Sequence, residues 1–103
     1  MPGGDNAFAV SAEALFDAWL SVADRQPRTR RLAADPAQHC TLHVQHTPLL
    51  KFPDYIRAEV VELGPGQHGL LIDSRSRFGL TDFGVNKRRV TAWFAELRAA
   101  VQP

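Results

Sequence analysis

Two stretches of the chain carry apolar residues at the spacing of an amphipathic helix. The first follows Ser11, which suits an N-cap, and has Glu13 in its first turn, where the helix dipole favours an acid. The second repeats at i, i+3, i+4, i+7 and i+11, through Val90, Trp93, Phe94, Leu97 and Val101. The pattern predicts helices over residues 12–24 and from about 82 or 83 to 101, with their aromatic residues in the core.

Between these stretches the pattern changes to the alternation of half-buried strands. Residues 40–47 place two sets of side chains on opposite faces, Cys40, Leu42 and Val44 on one and Thr41, His43 and Gln45 on the other. Strands are also predicted over 55–63 and 67–74, joined by a Gly-Pro-Gly turn, and more weakly over 28–32. Residues 7–10 suit a short additional strand.

The element order (β)-α-β-β-β-β-α predicts an α+β fold. Short strands joined by hairpin turns favour a single antiparallel sheet of four to five strands, with two helices packed on one face. Residues 7–101 are expected to form one domain, and residues 1–6 a flexible tail.

Composition adds limits rather than a function. The 103 residues carry a net charge of +1, which is too small to imply a nucleic-acid partner from the total alone. A single cysteine, Cys40, excludes an internal disulfide and is expected to be a small buried hydrophobe. The N-terminal residues lack the pattern of a signal peptide, and no run approaches the roughly 20 apolar residues of a membrane span. We therefore expect a cytoplasmic protein with no membrane partner.

The most distinctive segment is the polar loop and helix start at residues 73–89. Three cations, Lys87, Arg88 and Arg89, occupy the first turns of the predicted helix, where the dipole disfavours positive charge. Glycines in this segment allow close approach of a ligand, and free N–H groups at a helix start bind anions. The predicted ligand-binding residues are Ser74, Ser76, Arg77, Gly79, Asp82, Gly84, Asn86, Lys87, Arg88 and Arg89.

A purely structural interpretation explains the same residues. Asp82 can cap the helix, and Asp73 and Asp82 can pair with Arg77 and Arg89, so that a local network of ion pairs holds the loop. The sequence leaves both interpretations open.

The same segment carries a family resemblance. The string Ser74-x-Ser76-Arg77-x-Gly79-x-x-Asp82-x-Gly84-x-Asn86-x-x-Arg89 resembles the C-terminal signature of the domain-of-unknown-function family 1499, found in bacteria and plants. Phe52-Pro53-Asp54 is similar to the F-x-D stretch of that family. One departure is that Asp73 replaces the first arginine of the C-terminal signature. The resemblance covers roughly residues 8–100 and implies the same helix and strand order, without implying an activity.

Other constellations are weaker. His39, His43 and His46 are metal-ligand types, but on a strand His39 and His43 are about 13 Å apart and His46 faces the other side. No nucleophile elbow accompanies a Ser-His-Asp set drawn from Ser74 or Ser76 with His68 and Asp82. We therefore predict no metal and no cofactor.

A second basic cluster, Arg25, Arg28, Arg30 and Arg31, offers phosphate contacts, but no nucleic-acid-binding motif accompanies it.

We favour a non-enzymatic binding or interaction module that holds an anionic group of a small molecule or protein partner at residues 73–89. One alternative is an enzyme of unknown type that uses the same loop. Another is a structural subunit that forms a homodimer through the uncovered sheet face, which carries Tyr55 and Val61.

Overall fold

The computed structural model describes residues 7–76 and 85–101. Two helices flank four strands in the order predicted from the sequence. The elements are α1 (Ala12–Asp24), β1 (Thr29–Asp35), β2 (Cys40–His46), β3 (Pro53–Gly64), β4 (Gln67–Ser76) and α2 (Val85–Val101). β1 is longer than predicted and bends at a bulge around Leu32.

The strands form one antiparallel sheet in the order β1-β2-β3-β4. Each strand pairs with the next one along the chain, as expected for hairpins with short connections. The additional strand predicted at residues 7–10 is a single bridge between Phe8 and His68 at the β4 edge. The Phe8 N–H donates to the His68 carbonyl at 2.8 Å, and the His68 N–H donates back at 3.0 Å.

Both helices cover the same face of the sheet, here called the inner face, so the predicted α+β architecture is confirmed. Trp19 of α1 and Trp93 of α2 meet with ring centroids 5.7 Å apart, and both are buried. The apolar core combines side chains of both helices, β3, β4 and the N-terminal bridge: Phe8, Leu15, Phe16, Trp19, Val22, Ala23, Ile56, Ala58, Val60, Leu70, Trp93 and Leu97.

α1 begins where its sequence predicts. The side chain of Ser11 accepts a hydrogen bond from the Ala14 N–H at 3.1 Å, which satisfies one of the unpaired donors of the first turn. The apolar stripe of the helix is buried, with Leu15 and Trp19 fully enclosed. The helix is therefore held by its cap and by burial of one face.

The inner face of β2 is polar. Thr41, His43 and Gln45 are buried beneath the helices, whereas Cys40 is only half-buried on the other face. The expectation of a buried Cys40 was therefore wrong, because the helices cover the polar side of the alternation. Thr41 Oγ1 accepts a 2.7 Å hydrogen bond from Trp19 Nε1, which satisfies the indole donor within the core.

A second polar contact joins β2 to the end of α1. His43 is fully buried, and its Nε2 lies 2.9 Å from Asp24 Oδ1. The other oxygen of Asp24 pairs with Arg31 of β1. No hydrogen-bond partner for His43 Nδ1 occurs among the described residues. Asp24 thus links the C-terminal end of α1 to two strands at once.

Neither α1 nor α2 covers the opposite, outer face of the sheet. Leu71 is 54% exposed there, and Arg57, Glu59 and Asp73 give the same surface charges of both signs. Neither α1 nor α2, within residues 12–24 and 85–101, is long and apolar enough to cross a membrane.

The bond between Trp19 and Thr41 supports a prediction about stability. We expect Thr41→Val to lower the free energy of unfolding by about 1 to 3 kcal/mol, because it leaves the buried indole N–H without an acceptor. Urea unfolding measures the loss. Thr29→Val is the control, because its exposed hydroxyl donates only to the Pro27 carbonyl and a change below about 0.5 kcal/mol is expected. Equal losses in the two variants would contradict the proposed role of Thr41.

The contacts of Asp24 predict a loss of stability in acid. The hydrogen bond from Arg31 is the main cause that lowers the pKa of Asp24 below its ordinary value of 3.8, and His43 adds to it, while partial burial opposes both. A carboxyl whose pKa is lower in the folded state stabilises the protein above its unfolded pKa. That contribution is lost as the pH falls through the folded pKa.

We expect Arg31→Gln to reduce this acid-dependent part of the unfolding free energy, measured by urea unfolding at a series of pH values. Arg30→Gln is the control, because Arg30 is exposed on the neighbouring position of β1 and does not contact Asp24. An unchanged pH profile in Arg31→Gln would show that the pair does not contribute.

Candidate functional site

Arg89 lies near the start of α2 and its side chain contacts three strands of the sheet. Its Nη2 donates to Asp54 Oδ2 at 2.8 Å on β3, and its Nη1 donates to Ser74 Oγ at 2.9 Å on β4. Its Nε donates to Gln45 Oε1 on β2. One guanidinium group therefore connects α2 to β2, β3 and β4.

The strand register explains why these three acceptors lie together. Gln45 is paired directly with Asp54, and Ser74 is paired with Ile56, two positions further along β3. Side chains at alternate positions share a face, so all three acceptors project from the inner face towards α2. Gln45 Nε2 also donates to the Pro27 carbonyl at 3.1 Å, which extends the network to the connection between α1 and β1.

Burial makes this network structurally important. The side chains of Arg89 and Asp54 are 7% and 4% exposed, so both charges are almost completely removed from water. Such a pair is tolerable only when the charges and the remaining donors are satisfied by each other and by neighbouring polar groups. The bonds to Asp54, Gln45 and Ser74 meet that requirement. The positive charge of Arg89 is therefore paired with a carboxylate of the protein itself.

An open cleft of about 330 Å³ lies beside this network, between the start of α2 and the adjoining ends of β1 and β2. Arg28 holds one side, with a left-handed φ of 55°. Its Nε donates to the His46 carbonyl at 2.9 Å, and the His46 N–H donates to the Arg28 carbonyl at 3.0 Å. The lining residues are Arg28, Gln45, His46, Thr47, Pro48, Arg88, Arg89 and Trp93.

A second open cleft, of about 530 Å³, shares Arg28 and His46 with the first. Its remaining lining residues are Thr29, Arg30 and Lys51. Among residues 7–76 and 85–101, no aspartate or glutamate lines either cleft. Arg28, Arg30 and Lys51 form no ion pair with any residue in the described part of the chain. We refer to these two adjoining spaces as the basic clefts.

The structure describes only part of the site predicted from the sequence. It brings Ser74 and Arg89 into direct contact, and it places Arg88, which is exposed, at the first basic cleft. Three other predicted residues are described by their backbone alone: Ser76, Asn86 and Lys87. Four lie outside the described residues: Arg77, Gly79, Asp82 and Gly84. A ligand-binding role for these ten residues remains a prediction.

Sequence reasoning missed Asp54, Gln45 and His46 as members of this region. A signal for Asp54 was present. Asp54 alternates with Ile56, Ala58 and Val60 along the strand, so its side chain belongs to the inner face of β3. An acid at such a position requires a buried cationic partner. The pattern carries no comparable signal for Gln45 or His46.

The second basic cluster is divided among different environments. Arg25 forms an ion pair with Glu96 of α2 at 3.0 Å, and Arg31 pairs with Asp24. Arg28 and Arg30 instead line the basic clefts. Four neighbouring arginines therefore do not form a single surface for a polyanion.

The remaining constellations do not assemble into a reaction centre among the described residues, and Asp82 lies outside them. His68 and Ser74 are six residues apart on β4, roughly 20 Å along the strand, and His68 Nδ1 lies 2.7 Å from the Val10 carbonyl. Within residues 7–76 and 85–101 no three His, Cys, Asp or Glu side chains are grouped to hold a metal ion. The buried pair of His43 and Asp24 is closed to solvent on the histidine side.

Comparison with known proteins identifies one family. The model of a family described as protein of unknown function (DUF1499) matches residues 6–97. No curated protein and no solved structure matches the chain. The match includes Phe52-Pro53-Asp54 and Arg89, and the structure joins these two distant parts of the sequence through the ion pair between Asp54 and Arg89.

We expect Arg89→Met to lower the free energy of unfolding by about 3 to 5 kcal/mol, because it leaves the Asp54 carboxylate buried without its cation. Arg25→Met, at the exposed pair with Glu96, is the matched control and should cost less than about 1 kcal/mol. Urea unfolding measures both. The double variant Asp54→Asn with Arg89→Met should lose less than the sum of the single changes. Additive losses would contradict direct coupling of the two side chains.

Proposed function

Since the chain belongs to the family of proteins of unknown function designated DUF1499, whose name specifies no activity, we propose a function from its geometry. In this proposal the protein is a non-enzymatic binding module that holds an anionic group, such as a phosphate or carboxylate, where α2 begins beside β1 and β2. One observation carries the proposal: Arg28 and Arg88 line the first basic cleft, and no acid from the described residues does.

Electrostatics supports an anion in this position. Cations that line an open concave surface without acids produce a positive potential, which raises the local concentration of anions. The cleft is of a size that accommodates a small polar group and part of the molecule that carries it. A planar guanidinium matches the oxygens of phosphate and carboxylate with paired hydrogen bonds.

The buried network gives this cleft a fixed wall. Arg89 and Gln45 both line the cleft, and both are held by hydrogen bonds to other parts of the fold. Arg28 is oriented by its bond to the His46 carbonyl, so less conformational freedom is lost when its remaining donors bind a ligand. The proposed division of roles is that Arg89 supports the site, whereas Arg28 and Arg88 contact the anion.

Thermal unfolding with inorganic phosphate tests the proposal. At about ten times Kd, phosphate should stabilise the protein by about 1.4 kcal/mol and raise Tm by roughly 6 to 11 °C. Arg28→Gln and Arg88→Gln should each reduce this shift, because each removes a cation from the cleft. Arg57→Gln is the matched control, since Arg57 is exposed on the outer face of the sheet.

A carboxylate such as citrate provides a second probe of the same chemistry. If neither phosphate nor citrate raises Tm at millimolar concentration, or if Arg57→Gln reduces the shift as much as Arg28→Gln does, the proposed anion site is wrong.

A further inference from the structure

The loop between β2 and β3, residues 47–52, exposes an unusual concentration of apolar surface. Leu49 is 88% exposed, Leu50 is 64% exposed and Phe52 is 47% exposed. Three of the six loop residues are therefore large apolar side chains that contribute little to the core. Grouped apolar side chains of this kind are characteristic of surfaces that contact another apolar phase.

The loop is held in one shape by its own hydrogen bonds. The Thr47 N–H donates to the Phe52 carbonyl at 2.9 Å, and the Phe52 N–H donates to Thr47 Oγ1 at 2.9 Å. The Lys51 N–H donates to the Thr47 carbonyl at 3.1 Å, and Lys51 has a left-handed φ of 60°. These bonds close the base of the loop, so that the two leucines are presented at its tip.

The basic clefts adjoin this loop. Thr47 and Pro48 belong to the lining of the first cleft, and Lys51 belongs to the lining of the second. Arg28 and Arg30 lie on the same side of the molecule, because both line the second cleft together with Lys51. An apolar projection is thus adjoined by cations, and no acid in the described part of the chain lines the clefts beside it.

We propose that the loop at residues 47–52 docks the protein on the surface of a bilayer that contains anionic phospholipids. Leu49 and Leu50 enter the boundary between headgroups and acyl chains, and Arg28, Arg30 and Lys51 contact lipid phosphates. The inference rests on the proposed function, because the lipid phosphate is then the anionic group of the basic clefts. It departs from the expectation of no membrane partner, which was based on the lack of a signal-peptide pattern and of a spanning run.

Two properties of this surface favour a bilayer over a protein partner. The leucines lie at the tip of a loop, and a projecting tip enters a soft apolar phase without needing a groove of matching shape. The combination of apolar insertion with several adjacent cations provides the two signals that stable attachment to an anionic membrane requires. The outer sheet face lacks this combination, because Glu59 and Asp73 accompany Arg57 there.

Vesicle co-sedimentation tests the inference with the full chain. We expect the protein to sediment with vesicles of phosphatidylcholine and phosphatidylserine and to remain in the supernatant with phosphatidylcholine alone. The double variant Leu49→Ser with Leu50→Ser should reduce the partition coefficient roughly tenfold or more, because each leucine loses a favourable transfer from water. Leu71→Ser is the matched control, since Leu71 is 54% exposed on the outer face. This variant should bind the vesicles like the unmodified chain.

Phosphate-dependent thermal shift, measured on the same samples, separates this inference from the proposed function. If phosphate stabilises the protein but the protein does not bind phosphatidylserine vesicles, the bilayer inference alone is wrong. A chain that responds to neither overturns both. Vesicle binding that is equal in the double variant and the unmodified chain shows simple charge adsorption and also overturns insertion of the loop. Both leucines are exposed, so unchanged circular dichroism is expected for their variant.

Discussion

A guanidinium group buried beneath a helix requires acceptors in fixed positions, and Arg89 obtains them from three strands at once. Desolvation of its charge and of the Asp54 carboxylate is offset only if their mutual contact and the bonds to Gln45 and Ser74 form together. The position of α2 and the register of β2, β3 and β4 are therefore coupled. The first basic cleft depends on this arrangement, because Gln45 and Arg89 form part of its wall.

β2 connects the sheet to the helices by polar contacts, whereas β3 contributes mainly apolar packing. Thr41 accepts from Trp19, His43 contacts Asp24, and Gln45 accepts from Arg89. Directional bonds specify how the helices lie over the sheet, and burial of apolar surface supplies most of the driving force. The inner face thus combines orientation from one strand with hydrophobic stabilisation from its neighbour.

The arrangement of charges explains how a chain with a net charge of only +1 presents basic clefts. Some cations are neutralised by acids of the fold, as Arg25 is by Glu96 and Arg31 is by Asp24. Others form no ion pair with a described residue, and Arg28 and Lys51, which line the second basic cleft, belong to this group. Within the part of the chain that the structure describes, Arg28, Arg30 and Lys51 therefore place positive charge beside the apolar loop that joins β2 to β3.

The sequence by itself determined the helices, the four main strands and their antiparallel order, because periods of 3.6 and 2 record which residues are covered. Its C-terminal signature indicated the family, which the family-model match confirms. The sequence also indicated that cations near α2 need acidic partners. Only the tertiary structure decided that Asp54, 35 residues away, pairs with Arg89, and that the polar side of β2 faces the helices. Local patterns specify faces, but contacts between distant residues depend on strand register and helix placement, which many weak interactions set together.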